Sequence, residues 1–579
     1  MPNLNNRRSS SIEPLEARIA PATFTVINTN DMGAGSLRQA IIDANGTDAT
    51  DTIAFAASLT GQTITLTSGE IAITENTIIK GPAATKGLVT ISGNDASRIF
   101  NISDGTSTVL NVTLSGLGFV NGRAASQGGA ILSNESLNIY NCLFTSNQAT
   151  GGGRGGAVMA SGDDLSNTKL VIKNSVFSGN TSTGRGGAIY AETDGGVQII
   201  SSVINSNNSG SNQGGGLGVE VENAGAIILI DKTTITGNST TVNGGGAVLD
   251  HDGNLGKIII KNSFISGNSA SYGGGLYLDD GIVLIDKTTF ANNTASDRGG
   301  AIGDQFIDSL TVKNSKFYGN TATTTGGAIF AEGEHPVNIV SSTFSGNSSV
   351  DGGAIAAESQ ITLNVTKSTF TGNKALDDGG AIFKADTAIL NVVSSIFSGN
   401  SAASAGGAII GLSTGNLTIK GSTFTDNSAA VSGAIDAMMT TGNVNISASK
   451  ITGNRATGDG GGLYLRSDGT GTITIASSTI SNNVAGDDGG GLALFTVTAN
   501  INIISSKFIG NSAAGDDGGG IANFSSSSIL TISKSTITGN IAEDQGGGIA
   551  DSDAGDTVLP GTKIYGNTAV VAPNSGTNT

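Results

Sequence analysis

Apolar and polar residues alternate along most of this chain in short runs, and the runs recur at a fixed interval. In KLVIKNSVFSGN, Leu170 and Ile172 lie seven and five residues before Phe177, and Ser175 lies two before it. Residues two apart in a strand share a face, so each pair points one way, and the odd offset between the pairs requires a bend. The spacing predicts two strands around a corner, both facing inward. The same offsets return at Ile258, Ile260, Ser263 and Ile265, at Leu363, Val365, Ser368 and Phe370, and at Leu530, Ile532, Ser535 and Ile537.

A third strand is predicted after each glycine pair. Its aliphatic position reads Ile131, Val158, Ile189, Leu217, Val248, Leu276, Ile302, Ile329, Ile355, Ile382, Ile409, Ile435, Leu463, Leu492, Ile521 and Ile549, always preceded by Ala or Gly. An asparagine closes each second strand, from Asn147 and Asn180 through Asn373 and Asn400 to Asn540 and Asn567, in sixteen copies 25 to 33 residues apart. A period of that size marks a solenoid, whose units bury their apolar faces only by stacking. The fold class is therefore all-β: a single-stranded right-handed parallel β-helix with three short strands per coil. Some eighteen coils at about 4.8 Å each make a rod on the order of 85 Å long.

The repeated letters need no chemistry to explain them. Stacked coils put equivalent side chains in ladders, of asparagine among them; glycines serve tight corners, and the asparagines sit at the turn, where Asn tolerates φ > 0 and its amide can bond both its own turn and the coil next to it. Cys142 falls at the inward Ser position and reads as a small buried stand-in rather than a nucleophile.

The organisation reads as a leader (1–22), an N-terminal cap with the first coils (23–122), repeated coils (123–569) and a tail (570–579). In the leader, Arg7 and Arg8 look like the basic end of an export signal, but Glu13, Glu16 and Arg18 interrupt any apolar run. Leu37, Ala40, Ile41 and Ala44 have helical spacing between Gly35 and Asn45-Gly46, which predicts one short capping helix. Arg38 and Gln39 on it are assigned structural roles. Nothing after Asn567 reads as a cap, which suggests fraying, an end-to-end or C-terminal partner, or further sequence.

The GGA[IL] and FxxN pairing, recurring from Gly128 to Asn567, resembles the repeats of chlamydial polymorphic outer membrane proteins. That resemblance implies an exported β-helix linked to adhesion, located outside the cell or on the outer surface of a bacterium. In that family a C-terminal β-barrel anchors the helix, and no such set of strands follows here, which places an autotransporter mechanism in doubt. The segment FTVINTNDMGAGSLRQAI resembles the start of many bacterial right-handed parallel β-helix proteins. IEPLEARIAPA resembles the LEPR-XLL-type N-terminal element of large planctomycete surface proteins, departing from it at Ala17 and Ala20.

Composition narrows the partners. A net charge of −17 argues against nucleic acid and would hinder binding of polyuronates. No apolar run is long enough to span a bilayer as a helix. His251 and His335 are too far apart in the repeat order for a triad or a histidine metal site, and His335, before Pro336, is expected to be exposed. No catalytic or cofactor-binding residue is assigned.

The best nonrandom polar cluster is acidic. Asp459, Asp488 and Asp517 precede the glycine pair in successive coils, with Asp487, Asp516 and Asp544 one step earlier, and Asp351 with Asp378 forms a shorter pair. Carboxylates one coil apart repel by about 1 kcal/mol in water, which a bridging calcium would remove. Asp459, Asp487, Asp488, Asp516 and Asp517 are accordingly calcium candidates, against the simpler reading of a solvated acidic stripe. Lys173, Lys261, Lys313 and Lys420 form an exposed row expected to compensate the acids in part.

Two functional classes follow. One is a secreted or cell-surface structural or adhesive rod whose outer face meets a polysaccharide or protein. The other is a polysaccharide lyase or glycoside hydrolase on the same fold, which should carry long loops with paired acids and aromatic platforms. Short insertions, no Trp and 4% aromatics favour the rod.

Overall fold

The computed structural model describes residues 20–82, 87–162, 167–251, 255–551 and 557–570. Most of the leader and of the tail read from the sequence, and with them the LEPR-XLL-like stretch, lies outside the described residues. The chain forms an all-β right-handed parallel β-helix of about 20 turns with a single short helix near its N-terminus. Three long sheets run its length, the first of them 20-stranded, and every strand pairs in parallel with its counterpart one coil on.

One coil shows the local logic. Thr362–Thr366 lies in the first sheet, Thr369–Thr371 in the second and Ile382–Lys384 in the third, with a two-residue strand, Lys374–Ala375, between the last two. Leu363, Val365, Ser368, Phe370 and Ile382 all face inward and are fully buried. They stack in register on Leu390, Val392, Phe397 and Ile409 of the next coil. The bend between the first two strands is a single residue in the left-handed region, Lys367 at φ 50. Gly379 (φ 67) and Gly380 make the corner into the third sheet, where a Cβ on Gly380 would meet the Gly407 carbonyl oxygen at 2.1 Å. Only glycine fits there.

The ladders form as expected from the repeat, with three corrections. The aromatic ladder is continuous over Phe290, Phe317, Phe344, Phe370, Phe397 and Phe424, with ring centroids 4.6–4.7 Å apart and planes within 5° of parallel. The inward serines also chain together: the Ser368 amide donates to Ser395 Oγ at 3.2 Å, and Ser368 Oγ donates to the Thr366 carbonyl at 3.0 Å. Cys142 takes the serine place, its amide donating to Ser175 Oγ at 3.1 Å.

The first correction concerns the asparagines. None of the sixteen has positive φ; that conformation belongs to the residue before, such as Gly372 (φ 60) or Ser146 (φ 55). The asparagines point inward, and their carboxamides bond their own turn and the neighbouring coils, as expected. Asn400 Oδ1 accepts from the Asn373 amide at 3.0 Å and from Asn373 Nδ2 at 2.9 Å, while Asn400 Nδ2 donates to the Phe370 carbonyl at 3.0 Å and to Asn427 Oδ1 at 2.9 Å. The second concerns one register. Ala247, not Val248, pairs with Leu217 and Leu276 in the inward ladder, because the triple glycine Gly244–Gly246 occupies the same corner as Gly214–Gly216. The third is the coil count: about 20 turns, where eighteen were expected, give a rod of roughly 95 Å.

The helix Leu37–Ala44 closes the N-terminal end. Ser36 caps it, accepting the Gln39 amide at 3.2 Å, and Leu37, Ala40, Ile41 and Ala44 are buried. Arg38 binds Asp31 Oδ1 and the carbonyls of Gly69 and Glu70, tying the cap to the first coils, which is the structural role assigned to it. Burial works to raise the Asp31 pKa, but the Arg38 guanidinium and the donors of Thr67 and Ser68 outweigh it and hold the carboxyl down at about 2.

Removing one asparagine carboxamide strands three buried partners at once. Asn400→Ala is expected to cost about 3 kcal/mol or more, since each orphaned buried group costs about 1–3 kcal/mol. Thr423→Ala, on the outer face, should stay within about 0.5 kcal/mol. Urea denaturation of both variants checks the difference, and equal midpoints would refute the ladder's role.

Candidate functional site

With the repeated letters inside the tube, chemistry has to be sought on the outward columns and in the polar groups that interrupt the core. The first such place is the acidic corner ahead of the glycine pair. The chain there needs acceptors for amides that leave the sheets, and the aspartates supply them. The Asp488 amide donates to Asp459 Oδ1 at 3.2 Å, the Asp517 amide to Asp488 Oδ1 at 2.7 Å, and the Gln545 amide to Asp517 Oδ1 at 2.7 Å. Asp351 and Asp378 repeat the pattern, accepting the amides of Asp378 at 3.1 Å and Ala405 at 3.0 Å. The carboxylates are therefore a structural ladder as well as a charged stripe.

Of the five calcium candidates, Asp488, Asp516 and Asp517 come together, each offering one carboxylate oxygen within 4.8 Å of the others. Asp459 joins the stack through its hydrogen bond to Asp488, while Asp487 lies outside this group of three. Asp351, Asp377 and Asp378 make an equivalent trio. The donors suit a hard cation in kind. Three carboxylate oxygens fall short of the six to eight that calcium takes, so water would complete the shell. Burial raises the pKa of Asp459 and Asp517, and pushes Asp488 to about 6, with neighbouring carboxylates adding to the effect.

A second outward feature was missed in the sequence. Glu192, Glu220, Asp250 and Asp279 are paired in register three residues after the inward aliphatic of the third sheet, and Gln305, Glu332 and Glu358 continue the same position. Arginines from the glycine corner lace this row: Arg154 to Glu192 at 2.9 Å, Arg185 to Glu220 at 3.1 Å and Arg298 to Glu332 at 3.8 Å. Tyr190 donates its hydroxyl to Glu220, and the Arg154 guanidinium lies 4.9 Å from the Tyr190 ring centre. Gly218 leaves room for that ring, since a Cβ there would sit 2.7 Å from Tyr190 Cδ2. The signal was available as an acid or amide at a fixed offset in seven copies, but it appears only when the third-strand columns are aligned. Each arginine here already has a carboxylate partner, so the row braces the corner onto the sheet.

The core holds polar groups of its own, and they correct the reading of the histidines. His335 is buried, not exposed, because at the corner before the first sheet its ring turns in toward Asp304 and not out to solvent. Its Nε2 lies 3.5 Å from Oδ2 of Asp304, which is fully buried. Burial raises the Asp304 pKa, and His335 partly opposes this. His251 is also fully buried, three coils away or roughly 14 Å. Lys384 faces inward with no exposed surface. Burial pulls its pKa down to about 8, partly offset by Asp386. The lysine row is corrected too: Lys261 and Lys313 meet Asp231 at 3.8 Å and Asp286 at 3.9 Å on their own sheet, not the corner aspartates.

Comparison with known proteins agrees with this geometry. The family described as right handed beta helix region matches residues 271–410 and 364–536. The Chlamydia polymorphic membrane protein repeat matches residues 174–192, which hold Phe177, Asn180 and the GGAI corner. The chain thus has the right-handed parallel β-helix fold, with one segment that matches the polymorphic membrane protein repeat. No curated protein matches it. Among solved structures, one titled "Structure of PL6 family alginate lyase AlyGC" aligns over 94% of this chain and 100% of its own at 10% identity, with a TM-score of 0.20. At that score it carries no argument about activity.

Three outcomes follow. The corner aspartates have folded-state pKa values raised above those of the unfolded chain. Their stabilising contribution is therefore complete below about pH 4 and is lost as pH rises through about 6. The melting temperature should fall over that window, less steeply in Asp488→Asn. Calcium added at neutral pH is the direct test of bridging: a rise reversed by chelation marks a bound cation, and an unchanged melting temperature leaves only the hydrogen-bonded ladder. Burial also pushes the Cys142 thiol up to about 12. Ellman's reagent should find no reactive thiol in the folded protein and one in denaturant.

Proposed function

We propose that this protein is a secreted or cell-surface rod of a bacterium, structural or adhesin-like, which meets its partners along a repetitive outer face. The observation that carries this reading is the division of labour within each coil. The Phe/Ile, Ser, Asn and aliphatic positions form ladders inside the tube, so outward columns can vary without disturbing the fold. A solenoid of this kind gains length and surface in equal steps. The match to the polymorphic membrane protein repeat supports an outer location. The clusters found on the outside brace neighbouring coils, and the polar pair Asp304 and His335 is shut inside.

Protease shaving and antibody labelling of intact host cells test the location, and the expected result is loss of the protein from unpermeabilised cells. Incubation with a panel of polysaccharides tests the competing class of a lyase or hydrolase. No change in chain length is expected. Turnover abolished by changing one acidic pair to amides would overturn the rod.

A further inference from the structure

The net charge of −17 is not spread evenly around the coils. From Ser309 onward, ten successive coils run through the first sheet, its bend and the second sheet, over segments 309–318, 336–345, 362–371, 389–398, 417–425, 444–452, 472–481, 500–509, 530–538 and 557–565. These segments contain no aspartate or glutamate. They do contain lysines, and Lys316, Lys367, Lys420, Lys450, Lys507 and Lys534 are all exposed. None of these six makes an ion pair with a described residue, whereas Lys313, at the first of these coils, pairs with Asp286 of the coil before. The acids of the same coils are held on the third sheet, at Glu332, Glu358, Asp436 and Asp551, at the glycine corner from Asp351 to Asp544, and in loops that border the face, among them Asp386, Asp426 and Asp468.

Between the lysines the face is a lattice of uncharged donors and acceptors. Asn364 Nδ2 donates to Asn338 Oδ1 at 3.0 Å and Asn391 Nδ2 to Asn364 Oδ1 at 2.9 Å along the first sheet. On the second, the hydroxyls of Thr452 and Ser481 lie 3.1 Å apart. Such rows repeat at about 4.8 Å, once per coil. Packed sheets lie about 10 Å apart and the Debye length at physiological salt is about 8 Å, so a ligand on this face meets the lysines locally while the corner aspartates are largely screened. Local field, not net charge, decides what approaches.

We infer that the face formed by the first and second sheets over residues 309–565 binds an acidic polysaccharide lying along the rod. The lysines take its carboxylate or sulfate groups, and the Asn, Ser and Thr rows take its hydroxyls. A single-stranded nucleic acid would need aromatic platforms for its bases. The exposed large aromatics on this face are Tyr318 and Tyr565, which stand at its two ends. The inference gives the surface rod its ligand class and depends on that reading only for the place where the polymer is met.

The test is affinity electrophoresis of the full chain in gels containing polygalacturonate, heparin, dextran or single-stranded DNA. The two acidic polymers distinguish carboxylate from sulfate recognition. Retardation by at least one of them is expected at low salt, lost as salt rises, with none by dextran. Combined Lys420→Gln, Lys450→Gln, Lys507→Gln and Lys534→Gln should weaken it at least tenfold, while the matching Lys→Arg set retains it. Asp487→Asn with Asp516→Asn should leave it unchanged. All four lysines are exposed, and an unchanged circular dichroism spectrum verifies the fold. Equal retardation of wild type and the glutamine variant, or DNA bound as tightly as the acidic polysaccharides, overturns the inference. Absent binding with surface display intact removes the ligand and leaves the rod; binding without display removes the rod and leaves the ligand.

Discussion

Each coil of this protein is too thin to have a core of its own, and the requirement that it share one with its neighbours governs the rest of the structure. Backbone donors and acceptors point along the rod axis and are satisfied only by the coils above and below, so the strands must be parallel and in register. Once register holds, like side chains lie on like at the coil spacing, and the question at every inward position is whether a residue tolerates its own copy as a neighbour. Phenylalanine does so by parallel stacking at 4.6–4.7 Å. Asparagine does so because one carboxamide carries both a donor and an acceptor, so its Oδ1 receives from the coil before while its Nδ2 gives to the coil after. Charged groups do not, and two inward ones, Asp304 beside His335 and Lys384, have pKa values displaced toward their neutral forms.

The outside obeys the same geometry with different consequences. A column of carboxylates at coil spacing carries a repulsion that water reduces but does not abolish. Two solutions appear in one molecule. Along the third sheet, arginines from the glycine corner interleave with Glu192, Glu220 and Glu332. At the corner itself, Asp459, Asp488 and Asp517 accept backbone amides from the following coil, so each charge is used to complete a turn. Because the acids are concentrated in these columns, the broad face of the first two sheets is free of them beyond Ser309. A chain that is acidic overall thereby presents a long face whose only formal charges are positive.

Much of this was legible in the sequence, because period, strand count and inward positions depend on spacing alone. The offsets around Phe177 located two strands and the bend between them, and the glycine pairs located the third. Boundaries of meaning were harder. The triple glycine at Gly244–Gly246 hid which residue follows the corner, so Val248 was placed inside where Ala247 belongs. The asparagine carboxamides were expected to bond their own turn and the next coil, and they do, but the positive φ that asparagine tolerates belongs to the residue before it, since both residues suit a turn.

What the sequence determined by itself is the architecture: a repeating unit of fixed length, with small, aliphatic and aromatic residues at fixed offsets, can bury its apolar side only as a stacked coil. What the tertiary structure decided is which distant residues become neighbours. Asp304 and His335, 31 positions apart, meet in the core because Asp304 pairs with Ala331 of the next coil and His335 follows Ala331 at the corner beyond the third sheet. The arginine-laced row and the carboxylate-free face exist only as columns, one residue contributed by each coil. A column has no signature in any single repeat, and net charge, summed over the whole chain, conceals how the columns divide it.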